Sequence, residues 1–100
     1  MTYSVKRGDQ PSPSRNSVRR RLEGEGLLPY AWSNAPGDHY GEHSHLYRKV
    51  LYCVEGSIVF HVDGESVTLH PGDRLEIEPD TMHAADVGPE GVVCMEAAQG

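Results

Sequence analysis

One hundred residues are enough for one domain with one modest core, and 37% hydrophobic with 24% charged residues is ordinary for a globular chain. A net charge of −6 argues against nucleic-acid binding, where affinity comes largely from neutralised phosphates. No apolar run approaches the roughly 18 residues of a membrane span. The opening stretch MTYSVKRGDQPSPSR lacks the apolar centre of a secretory signal. The chain is therefore expected to be cytoplasmic, with Cys53 and Cys94 as reduced, buried thiols.

Residues 1–15 are polar and carry Pro11 and Pro13, so they are expected to form a flexible tail or an arm against a neighbour. Residues 16–100 then form a single domain. The only helical stretch is NSVRRRLEGE over 16–25. Asn16 or Ser17 would cap it, Gly24 and Gly26 would end it, and Val18 and Leu22 share a face at i, i+4. The run Arg19-Arg20-Arg21 is followed at once by Glu23 and Glu25, which favours a solvated helix face over a nucleic-acid contact.

From Leu27 onward the pattern has the period of a strand. Leu28–Asn34, Arg48–Glu55, Ser57–Val62, Glu65–His70, Arg74–Glu78, His83–Val87 and Val92–Ala97 read as short strands. Pro36-Gly37, Gly56, Asp63-Gly64, Pro71-Gly72-Asp73, Pro79-Asp80 and Gly88-Pro89 stand at the corners. Strands this short and this regularly spaced predict an all-β sandwich or barrel, of which the jelly roll is one form. Lys49–Val54 is apolar on both faces, with Val50, Tyr52 and Val54 on one and Leu51 and Cys53 on the other. Such a strand needs an outer cover, from the N-terminal segment or a second subunit, and a homodimer is expected.

His43 and His45 stand one residue apart, just before this strand, in GDHYGEHSHLYRKVLYCVEG. Two imidazoles on one face make half of a metal site, and His83 in EPDTMHAAD is the natural third ligand. Neutral imidazoles suit Zn, Fe, Ni or Cu better than Mg or Ca. The alternative is that all three histidines line the barrel without a metal. Tyr47 is near enough in sequence to line a pocket mouth, while Trp32, Tyr52, Phe60 and Met95 read as packing residues. His39 extends the site or lies on the surface. His61 and His70 fall opposite apolar positions and read as surface or interface residues.

Two segments resemble the paired motifs of the cupin family. The first runs Gly37, five residues, His43-Ser44-His45, three residues, Lys49, six residues, Gly56. Its spacing fits throughout, but Lys49 stands where the family has a glutamate. The second runs Gly72, five residues, Glu78-Pro79-Asp80, two residues, His83, three residues, Val87. Gly72 and His83 match, Glu78, Asp80 and Val87 depart from the family's residues, and Asp80 can replace a glycine in a left-handed turn. The resemblance implies a jelly-roll cupin β-barrel with a short N-terminal helix, motifs at 37–56 and 72–87, and one divalent transition metal (Zn, Fe, Ni or Mn) on His43, His45 and His83. It also implies a small-molecule ligand, with Tyr47 and Lys49 in its pocket. Lys49 is left to hold an anionic substrate, to pair with an acid such as Glu42 or Glu76, or to point away. Three readings follow: a metal-dependent enzyme of dioxygenase, isomerase or lyase type acting on a small oxygenated or anionic molecule, a non-catalytic ligand-binding or sensor barrel, or a protein whose metal is purely structural.

Overall fold

In the computed structural model, which describes residues 2–8 and 13–100, seven antiparallel strands and one helix fold around two long central strands. Strand β4 (Arg48–Val62) and strand β7 (His83–Gln99) pair along nearly their whole lengths, from Arg48 opposite Gln99 to Val62 opposite His83. Both bend where the register shifts around Cys53–Ile58. The two halves of each strand therefore serve two layers. In one layer, β1 (Tyr3–Lys6) pairs β6 (Arg74–Ile77), then the first half of β4, the second half of β7 and β2 (Tyr30–Asn34). In the other, β5 (Glu65–Leu69) pairs the second half of β4, followed by the first half of β7 and β3 (His39–His43). This is the expected jelly roll.

Between the layers lies a core drawn from every central strand, including Leu51, Ile58, Phe60, Leu69, Leu75 and Cys94. Cys53 and Cys94 are buried, free thiols and direct cross-strand partners. The other face of β4 carries a second cluster. Val50, Tyr52 and Val54, with Met95 and Ala97 of β7, lie under Val18, Leu22 and Leu27. Val18 and Leu22 belong to helix α1 (Arg15–Gly24). The outer cover that motivated a dimer is thus supplied within the chain.

Local chemistry fixes the ends of the helix. Ser14, rather than Asn16 or Ser17, is the cap: its Oγ accepts from the Ser17 amide at 3.1 Å. At the other end Gly26, at φ 82°, donates to Glu23, and Leu27 donates to Leu22, which together form a Schellman closure. Arg74 straps this end to the sheet through two 2.8 Å bonds to Glu25.

Three expectations need correction. The tail expected over 1–15 does not extend through Tyr3–Lys6, which is a strand paired to β6; within that tail, residues 1 and 9–12, including Pro11, lie outside the described residues. Buried Asp73 anchors Arg7 and Gly8, just after this strand, by accepting from the Arg7 guanidinium and the Gly8 amide, and it also accepts from the His70 amide. Gly56 and Gly88-Pro89 do not end strands but are carried within β4 and β7. Gly56 (φ 74°) is packed so closely that an added Cβ would lie 2.0 Å from the Gly91 carbonyl. Residues His39–His43, not among the strands expected from the sequence, form β3.

Candidate metal centre

His43 closes β3 and is the register partner of His83, the first residue of β7. His45 lies past the end of β3, so the two are not neighbours along one strand face as the sequence suggested. Its position is set from the second motif: the Asp80 amide donates to the His45 carbonyl at 2.7 Å. Asp80 itself takes the left-handed conformation (φ 62°), as expected for a residue replacing glycine. This turn therefore brings the two motif segments together.

One nitrogen from each of His43, His45 and His83 can be chosen so that all lie within 4.8 Å of one another. The ring centroids are 4.3–5.2 Å apart. Nδ1 of His43 lies 2.7 Å from the Gly41 carbonyl, and Nδ1 of His83 lies 2.9 Å from the Thr81 carbonyl. A carbonyl only accepts, so each Nδ1 carries the proton and each Nε2 presents a lone pair. Nε2 of His45 and Nε2 of His83 are buried and have no hydrogen-bond partner among the described residues. Unpaired buried polar atoms are rare and costly.

Burial favours the neutral form of His45 and His83. His83 is 1% exposed, and desolvation lowers its pKa to about 4, with further lowering from Lys49 and the neighbouring histidines. Burial followed by the Lys49 charge also lowers His45. Three clustered imidazoles are a donor set that could hold a first-row transition metal, with coordination positions left for water or ligand.

A cavity of about 280 Å³ opens beside the histidines. Five of the chain's seven aromatic residues line it: Tyr30, Trp32, Tyr40, Tyr47 and Phe60. Tyr47 stacks on His45 at 4.8 Å between centroids. Trp32 and Phe60, read from the sequence as packing, are also wall residues. Lys49, only 7% exposed, lines the cavity too, with its Nζ 3.2 Å from Oε1 of Glu96. Neither Glu42 nor Glu76 is its partner: Glu76 bonds Arg48 and Arg74. Glu96 in turn accepts from the Tyr30 hydroxyl at 2.9 Å and the Trp32 indole at 3.0 Å.

Sequence reasoning missed Glu96. The signal lay in strand parity: Val92 and Cys94 point inward, so Glu96 two positions on must do so as well. His39 and His61 stay outside the three-histidine cluster and bond Asp86 on the outer face. His70 is exposed near Asp73.

The sequence model of the cupin domain matches residues 32–94. Quercetin 2,3-dioxygenase of Bacillus subtilis is 37% identical over 49 residues, which cover 48% of this chain and 14% of that enzyme. The chain therefore spans about a seventh of that relative's length. An RmlC-like cupin from Shewanella frigidimarina superposes with a TM-score of 0.65 at 28% identity, covering 72% of this chain and 64% of that one. DMSP lyase DddQ from Ruegeria pomeroyi has a TM-score of 0.68 at 21% identity, covering 74% and 38%, a likeness of fold alone.

Proposed function

This chain belongs to the cupin family, and on that premise we propose that it holds one divalent transition metal on His43, His45 and His83. The adjoining cavity then binds a small oxygenated or anionic molecule. The observation that carries this reading is the pair of buried, unpartnered Nε2 atoms on His45 and His83. A cation is the partner that lone pairs of this kind accept, and the carbonyls of Gly41 and Thr81 hold two of the rings in the required tautomer.

A metal bound there would supply Lewis-acid or redox chemistry, of dioxygenase, isomerase or lyase type. The protein's own part is orientation and exclusion of water. The aromatic walls receive the carbon frame of a small ligand. Lys49 has three donors, and Glu96 takes one, so an ionised ligand oxygen can accept another. Glu96 is fixed from behind by Tyr30 and Trp32 and keeps the ammonium aimed across the cavity.

A second reading, a ligand-binding or sensor barrel without turnover, is favoured by one feature. Lys49 occupies the position that resembles the family's glutamate ligand, so the fourth protein ligand is missing.

Metal content by elemental mass spectrometry, on untagged full-length protein after gel filtration, tests the site. About one metal per chain is expected, and none in His45→Ala with an unchanged circular-dichroism spectrum. Full metal retention in His45→Ala would sink the assignment. So would no uptake by the wild-type chain after reconstitution with Fe, Zn, Ni and Mn. The metal found selects the chemistry to screen: substrate-dependent oxygen uptake for iron, non-redox turnover or ligand binding alone for zinc or nickel.

A further inference from the structure

The charge and wall chemistry of the inner cavity specify its ligand more closely than small and anionic. Among the described residues that line it, Lys49 is the only lysine or arginine and Glu96 the only carboxylate. Glu96 is fully engaged. Its Oε1 accepts from Lys49 and from the Trp32 indole, and its Oε2 accepts from the Tyr30 hydroxyl. Lys49 is not. Its Nζ meets one carboxylate oxygen at 3.2 Å and otherwise lies over the Phe60 ring, 5.7 Å from the centroid. An ammonium has three donors, and buried donors are costly to leave without acceptors. What the buried end of the cavity still offers a ligand is therefore one cation, which matches one carboxylate.

The remaining wall is made of rings. Trp32 and Tyr40 meet edge to face, with centroids 5.9 Å apart, and Tyr47 stacks on His45. Such an array presents both faces and edges to a further ring, and these contacts add to what buried area alone contributes. An alkyl group would gain only the area. The cavity, at about 280 Å³, lies at the lower end of small-molecule pockets, which span about 300–1,000 Å³. That suits one ring with its substituents rather than a fused polycycle. Exposure gives the direction of entry: Lys49 is deep, whereas Tyr30 and Tyr40 are exposed at the rim.

We propose that the ligand is a single-ring aromatic monocarboxylate, bound with its carboxylate on Lys49 and its ring among the aromatic walls. This rests on the cavity being the ligand site, as proposed above, and does not require the metal. Glu96 is a positioning residue: Tyr30 and Trp32 hold it, so it keeps the ammonium in place when the carboxylate arrives. The bond from Lys49 to the ligand is then charge-assisted, which discriminates strongly against an uncharged isostere.

Trp32 is the chain's only tryptophan, so its emission reports on the cavity. Benzoate is titrated into the full-length chain as purified and again after chelation, followed by fluorescence and calorimetry. Cyclohexanecarboxylate, with the same charge and no π face, and benzyl alcohol, with the same ring and no charge, are the comparators. One saturable equivalent of benzoate is expected in both preparations, with each comparator at least tenfold weaker. Lys49→Met should weaken benzoate at least tenfold and leave benzyl alcohol within twofold. If Lys49→Met does not fold because Glu96 is left unpaired, Lys49→Met/Glu96→Leu carries the same comparison. Three results would overturn the proposal: no saturable benzoate binding at millimolar concentration, cyclohexanecarboxylate bound as tightly as benzoate, or benzoate affinity unchanged in the Lys49 variants. Metal content, measured on the purified chain, keeps the two readings apart. A chain without metal that binds benzoate in this way sinks the metal assignment and supports this one, and a metal-loaded chain that ignores benzoate does the reverse.

Discussion

The inner and outer histidine clusters draw on the same neighbourhood of strands, and β3 and β7 contribute to both. His39 and His43 are four residues apart on β3 and by simple alternation would share a face. A register shift between Tyr40 and His43 separates them, one outward and one inward. The outer pair meets a carboxylate, and the exposed Asp86 is lowered in pKa by its hydrogen bonds to His39 and His61. Among the described residues the inner trio bonds no carboxylate, and the Lys49 ammonium, itself paired with Glu96, helps lower His45 and His83. Identical side chains thus become satisfied surface groups in one place and buried, unpartnered ones in the other. Burial and the neighbouring charge make the difference, not the histidine itself.

The sharpest way to break the comparison is His83→Ala. It should remove all tightly held metal, read by elemental analysis, while the outer hydrogen-bonded cluster keeps its histidine NMR signals unchanged. Next in size is Glu96→Ala, which strands a buried ammonium beside three imidazoles. Urea denaturation should show a loss of about 3–5 kcal/mol. The double change Lys49→Met/Glu96→Leu should recover most of it, because it removes both charges rather than one.

Acid should distinguish the clusters more gently. In the metal-free protein His83 has a pKa near 4, below the ordinary 6.5 of an imidazole. Between those values the unfolded chain binds the proton and the folded chain does not. Stability is therefore full above about pH 6.5 and falls toward pH 4, by up to about 3 kcal/mol, as urea midpoints across that range will show. The loss should vanish in His83→Ala. The smallest effect belongs to the outer cluster: Asp86→Asn should leave the thermal midpoint of the metal-free protein unchanged within error, since its partners are exposed.

Much of this molecule was legible in the chain because its cues are local. Asp63-Gly64 (φ 58° and 77°) makes the tight hairpin that the dipeptide predicts, and the parity of Leu75 and Ile77 places them inward. His43, His45 and His83 come together as their spacing suggested. What escaped depends on partners distant in sequence. Tyr3–Lys6 looks like a polar tail until β6, some seventy residues later, gives it a ladder. Glu96 becomes the partner of Lys49 only because β4 and β7 set Leu51 opposite it. Asp86 joins two histidines through two different neighbouring strands, which no single stretch of sequence displays. Gly56 and Gly88-Pro89 misled for the opposite reason: turn chemistry was present, but the long pairing of β4 with β7 absorbed it as irregularities.

That long pairing also sets an order of assembly. Val62 and His83 are 21 positions apart in the chain, whereas Arg48 and Gln99 are 51 apart. Closing the larger loop first would cost about 0.8 kcal/mol more chain entropy than closing the smaller. Strand β5, between them, already shortens the smaller loop by forming its own hairpin with β4. The two strands should therefore zip from the Val62–His83 end, bringing His83 to its place before the rung that carries Lys49 opposite Ala98. A nascent chain would hold its histidine ligand position while the lysine–glutamate pair was still open to water, and the charged pair would be desolvated in the final step of folding.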